Sequence, residues 1–388
     1  MPGSIRALFV TLVIASLALL TPGRSLSQTG ASNSDPGTAS TGLPTNQIII
    51  KYKDSLRLSA MDFGPDSARL QSLSAVAGTS VSYFRSMRGD VHVLRLANRA
   101  SEADVQAIAN RMSSLPDVVY AEPDRFLRPA FVPNDPWWSY QWGYSSTYGM
   151  NLPAAWDLTT GASSTVVAII DTGYRPHADL AGRFVQGYDF ISDTKVANDG
   201  DARDADAQDP GDWISAADIA GDFANWGCTQ ENSSWHGTHL AGTIGANTNN
   251  SLGVAGINWQ AKILPVRVLG KCGGYTSDII DGMRWAAGLP VDGVPANANP
   301  AKVLNLSLGG PGACDIAQQS AIDEINATGA IVVVAAGNAN DSAANYNPAN
   351  CNNVITVGAT TSAGLRAYYS NYGSIVDVSA PGGSQGYT

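Results

Sequence analysis

Five short apolar runs recur between residues 165 and 357, and they constrain the fold more than any other feature of the chain. They are Thr165–Ile170, Ala261–Val268, Lys302–Leu308, Ala330–Ala335 and Val354–Val357. Thr165-Val166-Val167-Ala168-Ile169-Ile170 shows no polar alternation, which is the pattern of a strand covered on both faces. Helical stretches fall between the runs at His239–Ala246, Ser277–Ala287 and Ile316–Thr328. Strands alternating with helices predict an α/β fold: a mostly parallel sheet with helices on both faces.

The preceding segment has a different rhythm. Ile48–Tyr52, Val81–Phe84, Val91–Leu96 and Val118–Pro123 read as strands, with helices around Ser67–Ala77 and Glu102–Leu115. Ser101 is placed to cap the second helix, whose Val105, Ile108, Ala109 and Met112 share one face. The β-α-β-β-α-β order predicts a small α+β, ferredoxin-like domain. Up to Ala130 there are 13 Lys and Arg against 10 Asp and Glu, net +3. The remainder of the chain's 23 basic and 33 acidic residues gives net −13 beyond that point. Opposite signs on consecutive segments attract. An overall charge of −10 argues against a nucleic-acid partner, which needs clustered Lys and Arg.

The N-terminus addresses the compartment. Arg6, the apolar stretch Ala7–Leu20 and small residues before Gln28 have the form of a signal peptide over 1–27. The stretch is too short for a stable membrane span. Residues 28–45 read as a flexible linker, 46–127 as the small domain and 131–388 as the large one. Export to an extracellular, oxidising medium suits four cysteines, an even number that can form two disulfides.

Three elements carry chemistry. The first apolar run ends in Asp171-Thr172-Gly173, a carboxylate at the tip of a parallel strand, where open α/β sheets place their sites. Asp-Thr-Gly also marks aspartic proteases, but these need a second such carboxylate, and no second copy occurs. The second element is His236-Gly237-Thr238-His239-Leu240-Ala241-Gly242-Thr243-Ile244-Gly245. No H-E-x-x-H arrangement accompanies its two histidines, which disfavours zinc. His236 fits a general base that Asp171 orients, and His239 a packed helix residue. The third element is Val332-Val333-Val334-Ala335-Ala336-Gly337-Asn338, a strand that ends by presenting a carboxamide suited to stabilising an oxyanion.

These motifs, with Asn305-Leu306-Ser307-Leu308-Gly309-Gly310, occur in the order found in the subtilisin-like serine proteases, which residues 131–388 resemble. The resemblance implies a subtilisin-like fold and a secreted endopeptidase using an Asp-His-Ser triad. Asp171 would orient the base, His236 would be the base, and Asn338 the oxyanion donor. Ser307, Leu308 and Gly309 would pair with substrate backbone. Tyr275 would lie on the cleft rim. Tyr346, in Asn345-Tyr346-Asn347-Pro348-Ala349, is similar to the proteinase K branch, where the tyrosine shapes the pocket for the residue before the cut. Residues 46–127 look like that family's inhibitory propeptide, making the protein its own zymogen. The implied partners are peptide or protein substrates and the propeptide itself, with the chain a monomer. By this placement of the loops, the expected disulfides are Cys228–Cys272 and Cys314–Cys351. Loops of this size contribute about 3–4 kcal/mol each in the chain-entropy model.

One departure stands out. The family's nucleophile lies in a Gly-Thr-Ser-Met-Ala block beyond Ala380-Pro381-Gly382, and no such block follows before Thr388. The expectation is a C-terminally incomplete protease, inactive by the triad route as it stands. Gly382-Gly383-Ser384-Gln385-Gly386 fits G-x-S-x-G, but that elbow belongs to a strand-turn-helix of another fold, so Ser384 is not the expected nucleophile. Calcium is the expected cofactor. Asp199, Asp201, Asp204, Asp206, Asp209 and Asp212 crowd one loop and repel one another unless water or a cation screens them. The spacing is not that of an EF-hand, and a solvated acidic loop is the plain alternative. Asp201, Asp204 and Asp206 are the candidate ligands there. The resemblance offers Asp377 with the carbonyls of Asn352 and Val354 as a second site. Two rival functions remain: a non-catalytic relative that binds peptides or calcium, and an aspartic protease resting on Asp171.

Overall fold

The computed structural model describes residues 44–53, 58, 60–63, 67–126 and 131–384. The expected signal peptide and most of the expected linker lie outside them. Contacts divide the described residues into two compact units, 44–126 and 131–384.

The N-terminal unit is built on strands β1 (Thr45–Tyr52), β2 (Val81–Met87), β3 (Val91–Ala100) and β4 (Val118–Pro123). They form one antiparallel sheet in the order β2-β3-β1-β4. Two-residue periodicity turns Ile48, Ile50 and Tyr52 to one face, where they are buried. Helices α1 (Ala68–Ala77) and α2 (Glu102–Ser113) cover that face with Leu70, Leu73, Val105, Ala109 and Met112. Ser67 caps α1 by accepting the Leu70 N–H at 3.3 Å, and Ser101 caps α2 by accepting the Asp104 N–H at 3.2 Å.

In the C-terminal unit, seven strands form one sheet in the order β13-β12-β10-β8-β5-β7-β6. They are β5 (Val166–Asp171), β6 (Tyr188–Asp189), β7 (Lys262–Arg267), β8 (Val303–Leu306), β10 (Ile331–Ala335), β12 (Ile355–Thr360) and β13 (Val378–Pro381). Every ladder in this sheet is parallel. Strands β9 (Gly310–Pro311) and β11 (Tyr346–Asn347) pair separately and antiparallel. The helices of ten or more residues here are α3 (His236–Gly245), α4 (Thr276–Ala286) and α5 (Ile316–Ala327).

Both sheet faces are covered, which explains the unbroken apolar runs. Ala168, Ile170, Val266, Leu304 and Val334 pack with Ile279 and Met283 of α4 and Ile322 and Ile325 of α5. Ile169 and Ile263 point the other way, against Leu240, Ala241 and Ile244 of α3. No described helix is long and apolar enough to cross a membrane.

Register decides where chemistry can sit. Ile169 pairs with Asn305, and Asn305 with Val333, so β5, β8 and β10 run in step. Their C-terminal tips therefore share one edge of the sheet. Asp171 ends β5 on that edge, Ser307 follows β8 and Asn338 lies just past β10.

Candidate active site

Asp171 and His236 meet at this edge. Asp171 is 0% exposed. His236 Nδ1 lies 2.7 and 2.8 Å from its two carboxylate oxygens and donates its proton to them. The Thr172 N–H donates to Asp171 Oδ1 at 2.8 Å. The hydroxyl of Thr172 accepts the Gly237 N–H, one of the first-turn donors that no helical carbonyl can reach. A Cβ at Gly237 would stand 2.2 Å from the Gly173 carbonyl oxygen, so only glycine lets the start of α3 come this close to the strand end. Asp-Thr-Gly and His-Gly-Thr are thus two halves of one joint.

A second chain of contacts reaches His236 from the acidic loop. The Ser234 N–H and hydroxyl both donate to Asp212, each at 2.6 Å, and Ser234 Oγ accepts the His236 N–H at 3.2 Å. Burial is the largest single influence on the imidazole and pushes its pKa down. The charge of Asp171, its hydrogen bond and the charge of Asp212 outweigh burial, so the net shift is upward. The other ring nitrogen, Nε2, is buried and has no hydrogen-bond partner. A proton-accepting nitrogen is held ready, with its opposite side fixed by a carboxylate.

The remaining predicted residues lie on separate loops of the same unit. Asn338 is exposed just past Gly337, whose φ of +103° turns the chain at the end of β10. Ser307, Leu308 and Gly309 lie outside any strand, between β8 and β9. A Cβ at Gly309 would stand 2.7 Å from the Asn347 carbonyl oxygen, which brings this segment against β11 and its Tyr346. Tyr275 precedes α4, is 46% exposed, and meets Trp226 edge to face with 6.1 Å between centroids. The disulfides are Cys228–Cys272 and Cys314–Cys351, with Cα–Cα separations of 5.8 and 5.1 Å. Ser384 follows β13, four strand spacings, or about 19 Å, across the sheet from β5.

Asp199, Asp201, Asp204, Asp206 and Asp209 line a cavity of about 650 Å³. Burial pushes the Asp209 carboxyl up, against the Gly211 N–H, the Thr172 hydroxyl and Arg267, which pull it down; its Oδ2 is buried with no hydrogen bond of ordinary geometry. Desolvation and then the charges of Asp204 and Asp199 push Asp201 up as well. Among the described residues, however, no three His, Cys, Asp or Glu side chains converge as a metal cage. At the other candidate site the Asn352 carbonyl accepts Gln319 Nε2 at 3.1 Å, and Asp377 Oδ2 accepts the Thr356 N–H at 2.8 Å.

Asp135 and Asp179, like Asp189 and Asp278, are buried carboxylates that the sequence does not mark. Asp135 accepts the N–H groups of Asn249 and Asn250, and Asp179 accepts Asn250 Nδ2 and the Val254 N–H. Together they pin the loop after α3. Nothing in Asn134-Asp135-Pro136 or His177-Ala178-Asp179 sets them apart from ordinary turns.

A doubly covered parallel sheet with an Asp–His pair at its carboxyl edge defines the class of protein. A family model for the subtilase family matches residues 162–388. The chain is 43% identical over 345 residues to an extracellular basic protease of Dichelobacter nodosus, covering 87% of this chain and 56% of that protein. It is 45% identical over 353 residues to an extracellular protease of Xanthomonas campestris pv. campestris, covering 88% and 60% respectively. A solved protease structure from Pseudoalteromonas arctica superposes with a TM-score of 0.63 at 55% identity, covering 66% of this chain and 74% of that one. The chain belongs to the subtilase family. It spans 56% and 60% of the length of the two curated relatives.

Proposed function

We propose that this chain is the greater part of a secreted serine endopeptidase whose nucleophilic serine is supplied by sequence following residue 388. The observation that carries this reading is His236: Nδ1 bound to a fully buried carboxylate, Nε2 buried and unpartnered. In the reaction, Nε2 takes the proton of the attacking serine hydroxyl. Asp171 holds the tautomer and stabilises the imidazolium that forms. Asn338 donates to the oxyanion of the tetrahedral intermediate, and Ser307–Gly309 pairs with substrate backbone. The imidazolium then protonates the leaving amine.

Two further roles belong to this reading. Residues 46–127 act as an inhibitory propeptide, supported by the opposite charge of the two segments. Calcium occupies the acidic loop. Asp201, Asp204 and Asp206 are its ligands in this reading, beside the buried Oδ2 of Asp209, while Asp199 is ion-paired with Arg267.

The test is to read the coding sequence past codon 388 and express the full product. The expected result is an in-frame Gly-Thr-Ser-x-Ala block, hydrolysis of a peptide anilide, and covalent labelling of that serine by a fluorophosphonate probe. A stop at codon 389, or a full product that neither cleaves nor labels, overturns the proposal in favour of a peptide-binding relative.

A further inference from the structure

Asn371 lies in the segment after β12 and is 1% exposed. Its side chain and backbone hold the loop that carries Asn338 from both sides. Its Nδ2 donates to the Ala336 carbonyl at 2.9 Å, and its backbone N–H donates to the Gly337 carbonyl at 2.9 Å. Its Oδ1 accepts the N–H of Ala339 at 2.9 Å and of Asp341 at 3.1 Å. These four bonds take the two residues before Asn338, the one after it and one further on. None involves Asn338 itself. The next residue continues the clamp, as the Tyr372 N–H donates to the Asp341 carbonyl at 3.0 Å and the Ala343 N–H to the Tyr372 carbonyl at 2.8 Å. The fit is close, since a Cβ at Gly337 would stand 2.4 Å from Asn371 Nδ2.

We propose that Asn371 is the positioning residue for Asn338, fixing the backbone on both sides so that the carboxamide needs no rearrangement as charge develops. The proposal rests on the reading of Asn338 as oxyanion donor. A donor helps a transition state to the extent that it is already oriented, and Asn338 is exposed, at the start of a loop with φ +103° just before it. Only a carboxamide of this length donates at one end and accepts twice at the other. Aspartate keeps the accepted amides but loses the donation to Ala336. Serine is too short to span the loop.

The experiment measures kcat and KM of the full-length product on a peptide anilide for Asn371→Asp and Asn371→Ser, each in the wild-type and Asn338→Ala backgrounds. In the wild-type background kcat falls about tenfold to a hundredfold, with KM nearly constant, the scale of a donor displaced by about an ångström. In the Asn338→Ala background the same substitutions leave kcat within about twofold, because the group they orient is gone. Equal losses in both backgrounds mean a general structural role and overturn the proposal. So does an unchanged kcat for Asn371 variants of an enzyme that Asn338→Ala impairs. If Asn338→Ala itself leaves kcat unchanged, the donor reading falls and this proposal with it. Asn371→Asp preserves the volume and carries the test if Asn371→Ser is not recovered folded.

Discussion

The hydroxyl of Thr172 accepts the backbone N–H of Gly237 at 3.0 Å. This bond fastens the strand that ends in Asp171 to the helix that begins with His236. The separation of the two side chains is therefore set by this hydroxyl-to-backbone joint as well as by the carboxylate–imidazole contact.

Thr172→Val keeps the shape but leaves the Gly237 N–H buried and unpaired. The expected cost is about 1–3 kcal/mol in stability, with a fall in kcat as the Asp–His geometry loosens. Denaturant midpoints and steady-state kinetics of the full product check this. An unchanged kcat at reduced stability would mean that Asp171 and His236 align without the joint.

His236 must be neutral to accept a proton, and its pKa is raised against the downward push of burial by Asp171 and Asp212. Activity should therefore fall as pH drops through a value above the ordinary histidine range. Asp212→Asn removes one of the charges that raise it, so the acidic limb of kcat/KM should move to lower pH, more at low salt than at high. A limb that stays in place would exclude Asp212 as an influence on the base.

In the N-terminal unit, His92 is 2% exposed among Tyr52, Phe63 and Tyr83, and neither ring nitrogen has a hydrogen-bond partner. Burial pushes its pKa below the ordinary 6.5, Arg69 adds to this, and Asp90 and Asp62 oppose it. A depressed folded value means that the unfolded chain takes the proton first. Stability is retained above about pH 6.5 and lost as pH falls below it. Hydrogen exchange over β1–β4 should show protection declining between about pH 7 and 5, and His92→Phe should flatten that decline. Protection independent of pH in the parent would contradict it.

Chelation should lower the thermal midpoint of the full chain, because Asp201, Asp204 and Asp206 are then held together with no metal ion between them. Asp209→Asn should shrink the difference between calcium-loaded and chelated protein. Identical melting with calcium and with chelator would remove the cofactor from this loop.

The isolated segment 46–127 should inhibit the processed enzyme in trans, less strongly as NaCl is raised, since part of the attraction is long-range. Inhibition titrations at several salt concentrations measure this. Failure to inhibit at any salt would leave the segment without a propeptide role.

Much of this was readable because burial writes itself into composition. The run ending in Ile170 is apolar throughout since α4 and α5 cover Ile170 while α3 covers Ile169. Edge strands carry no such mark. Tyr188–Asp189 is two residues long, and β13 includes the exposed Val378 and a proline, so neither was anticipated. Helix α3 starts at His236, three residues before the helical stretch read over His239–Ala246; Trp235 stands at the cap position with φ +51° and no side-chain cap, and Ser234, one residue earlier, takes the His236 N–H instead. Asn371, in Ser370-Asn371-Tyr372-Gly373, reads as an ordinary turn former, and its partners around Asn338 reach it only through the fold.

The two disulfides have a consequence for durability. Cys228–Cys272 brackets His236, and Cys314–Cys351 brackets Asn338. A single backbone cut anywhere inside either bracket severs the chain without releasing a fragment, because the bridge still joins the two pieces. The stretches carrying His236 and Asn338 can thus be nicked once and remain tethered, until a reductant completes what the cut began.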